Sequence, residues 1–143
     1  MTRLGSLTTI LEVAVLLLLV AMIAGQALGQ PVGLGFVTSD SMEPTLDPGD
    51  GFVAVPHAVA GPIEEGDVVV FRAEELQGGG LTTHRVVGET DRGYVTRGDG
   101  NPFTDQDAGE PPVKDPQIVA EALQIGGTVV VIPHLGTAVQ SVQ

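Results

Sequence analysis

Gly66-Asp67-Val68-Val69-Val70-Phe71-Arg72 and Leu81-Thr82-Thr83-His84-Arg85-Val86-Val87 stand on either side of an acidic, glycine-rich connection, Ala73 to Gly80. Each reads as a β-strand: a β-branched apolar run entered through Gly66-Asp67, then a segment alternating with period two. The alternation puts His84 and Val86 on one face and Thr83, Arg85 and Val87 on the other. Working outward, Gly51 to Val55 reads as a strand after a type II turn at Asp47-Pro48-Gly49-Asp50, where Pro48 sets φ and Gly49 supplies φ > 0. Gly35 to Thr38 and Tyr94 to Thr96 read as short extended pieces. Ile118 to Gln124 and Thr128 to Ile132 read as closing strands, and His57 to Gly66 as a loop. Gly98 to Pro112 is a long polar loop, of the length that in compact domains is usually functional or disordered. Short strands with turn signals between them predict a mainly β, compact domain.

Composition narrows the function. The chain has 143 residues, with 18 acidic against 6 basic side chains, so a nucleic-acid partner, which needs a basic footprint, is not expected. It has no cysteine, which removes disulfides, thiolate metal sites and cysteine nucleophiles. The one lysine is Lys114. An acidic, lysine-poor surface resembles proteins of salt-loving organisms, where a Debye length of roughly 3 Å in molar salt screens self-repulsion.

From Leu4 to Leu34 the only charge is Glu12. As a helix, Leu7 to Leu28 would be about 33 Å long, enough for a hydrocarbon core of ~30 Å. The organisation expected is a cytoplasmic N-terminus over 1–6, a transmembrane anchor over 7–28 and an extracytoplasmic β-domain over 29–143, with Arg3 setting the orientation. Gln30 to Gly35 is the exit from the membrane. A cleavable signal peptide is the competing reading, with small residues at Ala24-Gly25-Gln26-Ala27. The length of the run and Glu12 favour the uncleaved anchor.

Ser41 follows this span in Ser39-Asp40-Ser41-Met42-Glu43-Pro44-Thr45-Leu46. A serine hydroxyl becomes a useful nucleophile when a base takes its proton, imidazole suits that task near neutral pH, and a carboxylate on the far ring nitrogen fixes the tautomer. Ser41, His84 and the pair Asp99 and Asp105 offer these groups outside the span. Each also has a plainer reading: a turn or N-cap serine, a half-buried strand histidine, an Asx-turn aspartate. His57 and His134 are read as surface or structural.

The local contexts carry a resemblance. Ser41-Met42-Glu43-Pro44-Thr45-Leu46 with Pro48-Gly49-Asp50 looks like the nucleophile box of type I signal peptidases. Gly66 to Phe71 is similar to the next box, Thr83-His84-Arg85-Val86-Val87 to the third, and Arg97-Gly98-Asp99-Gly100-Asn101, ending in Asp105, to the fourth. The third box carries histidine rather than lysine, which resembles the archaeal and endoplasmic-reticulum type. The resemblance implies a mostly β peptidase fold without a cofactor. It also implies cleavage of signal peptides from exported preproteins after a small-x-small motif, at the membrane and beside the protein-export channel. By the same resemblance Ser41 is the nucleophile, His84 the base and Asp105 its partner. Asp99 is a supporting residue, and Ser39 with the Ser41 N–H an oxyanion contact. Gly100 stands where asparagine is common. Relatives often continue past Val131 to Gly136 into further membrane-spanning sequence, whereas this chain stops at Gln143, as a short variant or an incomplete chain would. Two other classes stay open: a related serine protease of different substrate class, such as the self-cleaving repressors, and a membrane-anchored non-catalytic β-domain or inactive homologue.

Overall fold

The computed structural model describes residues 3–27 and 33–142, with side chains described for 6–20, 23 and 33–142. The first helix, α1 (Arg3–Ala27), has 25 residues, and its described side chains are exposed. Over the described residues no helix is long and apolar enough to cross a membrane. The end of the expected anchor at Leu28 and its exit at Gln30 lie outside them.

The rest is built on antiparallel strands: β1 (Gly33–Phe36), β2 (Gly51–Pro56), β3 (Val68–Arg72), β4 (Leu81–Thr90), β5 (Gly93–Arg97), β6 (Ile118–Ala122), β7 (Gln124–Ile125), β8 (Thr128–Val129) and β9 (Val131–Ile132). The main sheet runs β1-β2-β6-β3-β4-β5, with β9 also paired to β2. The domain is mainly β, as the strand pattern predicts.

The uninterrupted apolar run of β3 has a structural cause. Its successive side chains point to opposite faces, and both faces are covered. Val68 packs with Val37, Met42, Leu46, Phe52, Ala122 and Val129, with Val70 against the same cluster. Val69 and Phe71 pack with Ile63, Ala73, Val86, Val113 and Ile118. A strand buried on both sides needs no polar alternation. β4 keeps the alternation: Thr82, His84 and Val86 are buried, and Thr83, Arg85 and Val87 are less so. Its pairing sets Val69 opposite His84, so the histidine rests against a rigid central strand.

Several elements differ from the sequence reading. The loop after β2 begins with a one-turn helix, α2 (His57–Ala60). The expected strand over 128–132 is broken into β8 and β9. β8 instead closes a hairpin with β7, in register Ile125 to Thr128, over Gly126 and Gly127 at φ +61° and +81°, the twist that a two-residue hairpin requires. A last helix, α3 (Leu135–Ser141), had no counterpart in the reading. It sits where glycines make room: a side chain at Gly51 would run into Leu135, and one at Gly136 into Phe36.

One buried acid bears on stability. Glu121 lies in β6, opposite Val55 in β2 and Val69 in β3, and its Oε2 is buried without a hydrogen-bond partner. Burial, then the Asp67 and Glu64 carboxylates, push its pKa up to about 7. The folded state therefore holds a proton that the unfolded chain releases near pH 4.5. Stability from this group is present at low pH and lost as pH rises through about 7. Glu121→Gln is expected to raise the melting temperature more at pH 8 than at pH 5, by an amount corresponding to ~1 kcal/mol after solvent screening. Thermal melts of both proteins at the two pH values check this; equal differences at the two values would contradict it.

Candidate active site

Ser41 is set by the turn that follows β1. Glu43 N–H donates to the Asp40 carbonyl and Leu46 N–H to the Met42 carbonyl, which coils the segment tightly. Met42 and Leu46 are fully buried in the core. They act as two anchors that leave Ser41 half-buried at the surface between them and β1. The turn expected at 47–50 is present, with Asp50 N–H donating to the Asp47 carbonyl and Gly49 at φ +92°.

The structure brings Ser41, His84 and Asp105 together. Ser41 Oγ lies 3.1 Å from His84 Nε2, and His84 Nδ1 lies 2.7 Å from Asp105 Oδ2. An ionised carboxylate can only accept, so Nδ1 carries the proton and Nε2 keeps a lone pair directed at the serine hydroxyl. His84 and Asp105 are 5% and 4% exposed, which shields their pairing from water.

Asp105 is held from both sides of its side chain and backbone. Thr96 Oγ1 donates to the same Oδ2 at 2.6 Å, and Asp105 N–H donates to the Thr96 carbonyl at 2.8 Å. Gln106 accepts from the Thr96 N–H at 2.9 Å. The polar loop is thus pinned to β5 through one threonine, and successive turns at Ala108, Gly109 and Glu110 continue the hydrogen bonding.

Asp99 has a different place. Arg85 grips it with two donors, Nε to Oδ1 and Nη2 to Oδ2, each at 2.8 Å, and Thr45 Oγ1 donates to Oδ2 as well. Burial works against its ionisation, but the hydrogen bonds from Arg85 and Thr45 and the Arg85 charge outweigh it and hold the carboxyl below the usual range. Arg85 donates in addition to the Gly66 carbonyl at 2.7 Å. Asp99 therefore ties the nucleophile turn, β4 and the start of β3 into one frame behind the site.

The turn 98–101 presses directly on that frame. Gly100 N–H donates to the Ser41 carbonyl at 2.9 Å. A Cβ on Gly98 would stand 2.5 Å from the Ser41 carbonyl oxygen and 3.0 Å from His84 Nε2, so only glycine fits between nucleophile and base. At Gly100 a Cβ would meet the Asp40 and Glu43 carbonyls at 3.0 Å, which accounts for the glycine at a position where the resemblance leads one to look for asparagine.

Ser39 Oγ lies 3.1 Å from Ser41 Oγ, and the Ser41 N–H points to Ser39 Oγ at 3.4 Å. The Ser39 hydroxyl thus accepts from the Ser41 N–H and also bonds the Ser41 hydroxyl. The other histidines lie apart. His57 Nε2 is 3.8 Å from Asp115, and His134 is an exposed residue of positive φ before α3. Among the described residues no cluster of His, Cys, Asp and Glu could hold a metal ion. Thr45, Arg85, Thr96 and Gln106 were not singled out from sequence. Their signal is only the polar residue inside or beside a motif, and their partners lie up to 54 residues away in the chain.

Two cavities flank the Ser41–His84 contact. One, of about 90 Å³, is bounded by Phe36, Val37 and Thr38 on one side and by Leu81 to His84 on the other. The second, of about 290 Å³, is lined by Leu76, Gln77 and the loop residues Asn101 to Asp105. Hydroxyl, imidazole and buried carboxylate thus stand in one line in a small β-domain, with clefts on both sides. Residues 7–98 match the family model of signal peptidase, peptidase S26. That is more than half of the chain, and the chain belongs to this signal peptidase family. No curated protein matches it. The family match ends one residue before Asp99, so the fit of Asp105 to His84 is an observation of geometry that lies beyond it.

Proposed function

We propose that this protein is a membrane-bound signal peptidase of the archaeal type, which removes signal peptides from exported preproteins after a small-x-small motif. The carrying observation is the unbroken line Ser41 Oγ to His84 Nε2 at 3.1 Å and His84 Nδ1 to Asp105 Oδ2 at 2.7 Å. In this reading Ser41 attacks the scissile carbonyl as His84 takes its proton. His84 returns that proton to the leaving amine and then activates the water that hydrolyses the acyl-enzyme. Asp105, held by Thr96, keeps the imidazole in the working tautomer. Ser39 and the Ser41 N–H bind the developing oxyanion, a contribution typically worth about 10²–10³ in rate per donor.

The proposed organisation is residues 1–6 on the cytoplasmic side, an anchor over 7–28, and a catalytic domain over 29–143 on the outer side. The anchor reading rests on the sequence, in which Glu12 is the only charge from Leu4 to Leu34, and on the length that 7–28 would have as a helix, about 33 Å against a hydrocarbon core of ~30 Å. Confining enzyme and substrate to one layer raises their effective concentration, which suits a site with few side-chain contacts. The substrate would add as an extended strand. The end of β1 and the approach to His84 in β4 border the smaller cavity beside Ser41, and β1 ends the sheet. The excess of acidic residues and the single lysine support a salt-loving archaeal source.

The test is an incubation of detergent-solubilised protein with a preprotein and with a variant whose Ala-x-Ala site is disrupted, at low and at molar salt. The expected result is one cut after the Ala-x-Ala site and none in the variant. Cleavage of both would indicate a serine protease of another substrate class, and cleavage of neither a non-catalytic domain.

A further inference from the structure

Three residues line both cavities at the site: Ser41, His84 and Gln77. The first two form the contact that does the proposed chemistry. Gln77 belongs to the connection between β3 and β4 and is exposed. A peptide whose scissile bond lies at Ser41 would pass from one cavity to the other across this side chain. Its carboxamide offers both a donor and an acceptor, the pair that an extended peptide backbone calls for.

The backbone at Gln77 is unusual. It sits at φ 55°, ψ 25°, a left-handed conformation that non-glycine residues seldom adopt and that tends to mark functional segments. Something must hold it, and the structure shows what. Glu110 is 2% exposed, and its carboxylate accepts the backbone N–H groups of Glu74 at 2.6 Å, Glu75 at 2.8 Å and Leu76 at 3.1 Å. Consecutive N–H groups converging in this way form an anion-binding concavity, here filled by the protein's own side chain. At its other end Glu110 N–H donates to the Asp105 carbonyl at 3.0 Å. One residue thus joins the loop that carries Asp105 to the segment that carries Gln77.

We propose that Gln77 is a substrate-positioning residue that hydrogen-bonds the peptide backbone across the scissile bond, and that Glu110 is the residue that positions it. This inference rests on the peptidase reading of the site. It predicts a selective defect. Gln77→Gly keeps the left-handed backbone accessible and removes only the side chain. The expected result is a KM for a preprotein about 5–10-fold higher with kcat within twofold, because a lost neutral hydrogen bond to substrate is worth about that factor. Labelling of Ser41 by a small fluorophosphonate, which has no peptide backbone to contact, should keep its wild-type rate. Glu110→Gln should show the same split. The double variant should be no worse than the more affected single one, since both remove one interaction.

The kinetics separate the two ideas. If the wild-type protein cleaves no preprotein, the peptidase reading fails. If it cleaves and Gln77→Gly has unchanged KM, or loses fluorophosphonate reactivity in step with cleavage, the positioning role is overturned and the peptidase reading stands. Additive defects in the double variant would overturn the link from Glu110 to Gln77. Should Glu110→Gln not fold, the Gln77→Gly kinetics still decide the role of Gln77.

Discussion

Alanine at His84 is expected to slow preprotein cleavage by about 10⁴-fold or more, as is alanine at Ser41. The two losses should not multiply in the double variant, because both remove a single acid–base unit. The expectation follows from the geometry: Ser41 Oγ has His84 Nε2 at 3.1 Å and Ser39 Oγ at 3.1 Å, and of these neighbours only the imidazole can take a proton at neutral pH. Folding should survive both changes. Ser41 contributes no side chain to the core, whereas Met42 and Leu46 beside it are fully buried. Replacing His84 leaves Val69 and Val86 packed on β3 and β4. Single-turnover cleavage of a preprotein, with circular dichroism of each variant, is the measurement. A folded Ser41→Ala protein that cleaves at the wild-type rate would remove Ser41 from the chemistry. His84→Lys is expected to fail as a substitute, since a lysine base must be kept neutral by burial arranged for it.

Asp105→Asn should cost about 10³–10⁴-fold in kcat with little change in KM. The carboxylate accepts from His84 Nδ1 at 2.7 Å and Thr96 Oγ1 at 2.6 Å through the same oxygen. An amide that turns its NH2 toward His84 forces the proton onto Nε2, and the lone pair facing Ser41 is then gone. An amide that presents its oxygen keeps the tautomer but loses the charge that stabilises the imidazolium. The same exchange at Asp99 separates the two aspartates. Asp99 faces Arg85 and Thr45, so Asp99→Asn should act on stability and on the fit of the 98–101 turn rather than on proton transfer. A wild-type rate in Asp105→Asn would exclude the third member alone and leave the Ser41–His84 pair standing.

Much of this arrangement was legible in the chain. The strands β2 to β4 follow from β-branched runs, period-two alternation and the Asp47 to Asp50 turn, all local signals. The alternation alone put His84 and Val86 on one face, and both are buried there. Choosing between Asp99 and Asp105 needed more than local pattern. Both lie in a polar loop, and what separates them is Arg85 meeting one and Thr96 meeting the other, contacts made by folding. The supports Thr45, Gln106 and Glu110 were invisible for the same reason. Glu110 looks like one more acid in an acidic chain until three backbone N–H groups are seen to converge on it. The short helix α3 escaped because its seven residues are positioned by close packing on Gly51 and by the Gly136 contact with Phe36, not by helical periodicity. The break between β8 and β9 falls at Val130, whose N–H donates to the Leu123 carbonyl, where the chain leaves its pairing with β7 for one with β2.

The claim on which the rest depends is that the Ser41 hydroxyl is activated by the His84 imidazole. The most direct measurement is to label the wild-type protein with a fluorophosphonate and locate the adduct by peptide mass spectrometry, alongside His84→Ala. The account predicts one adduct, on Ser41, whose rate of formation falls at least 10³-fold without His84. An adduct on another serine, or labelling of Ser41 that proceeds equally well in His84→Ala, would contradict it.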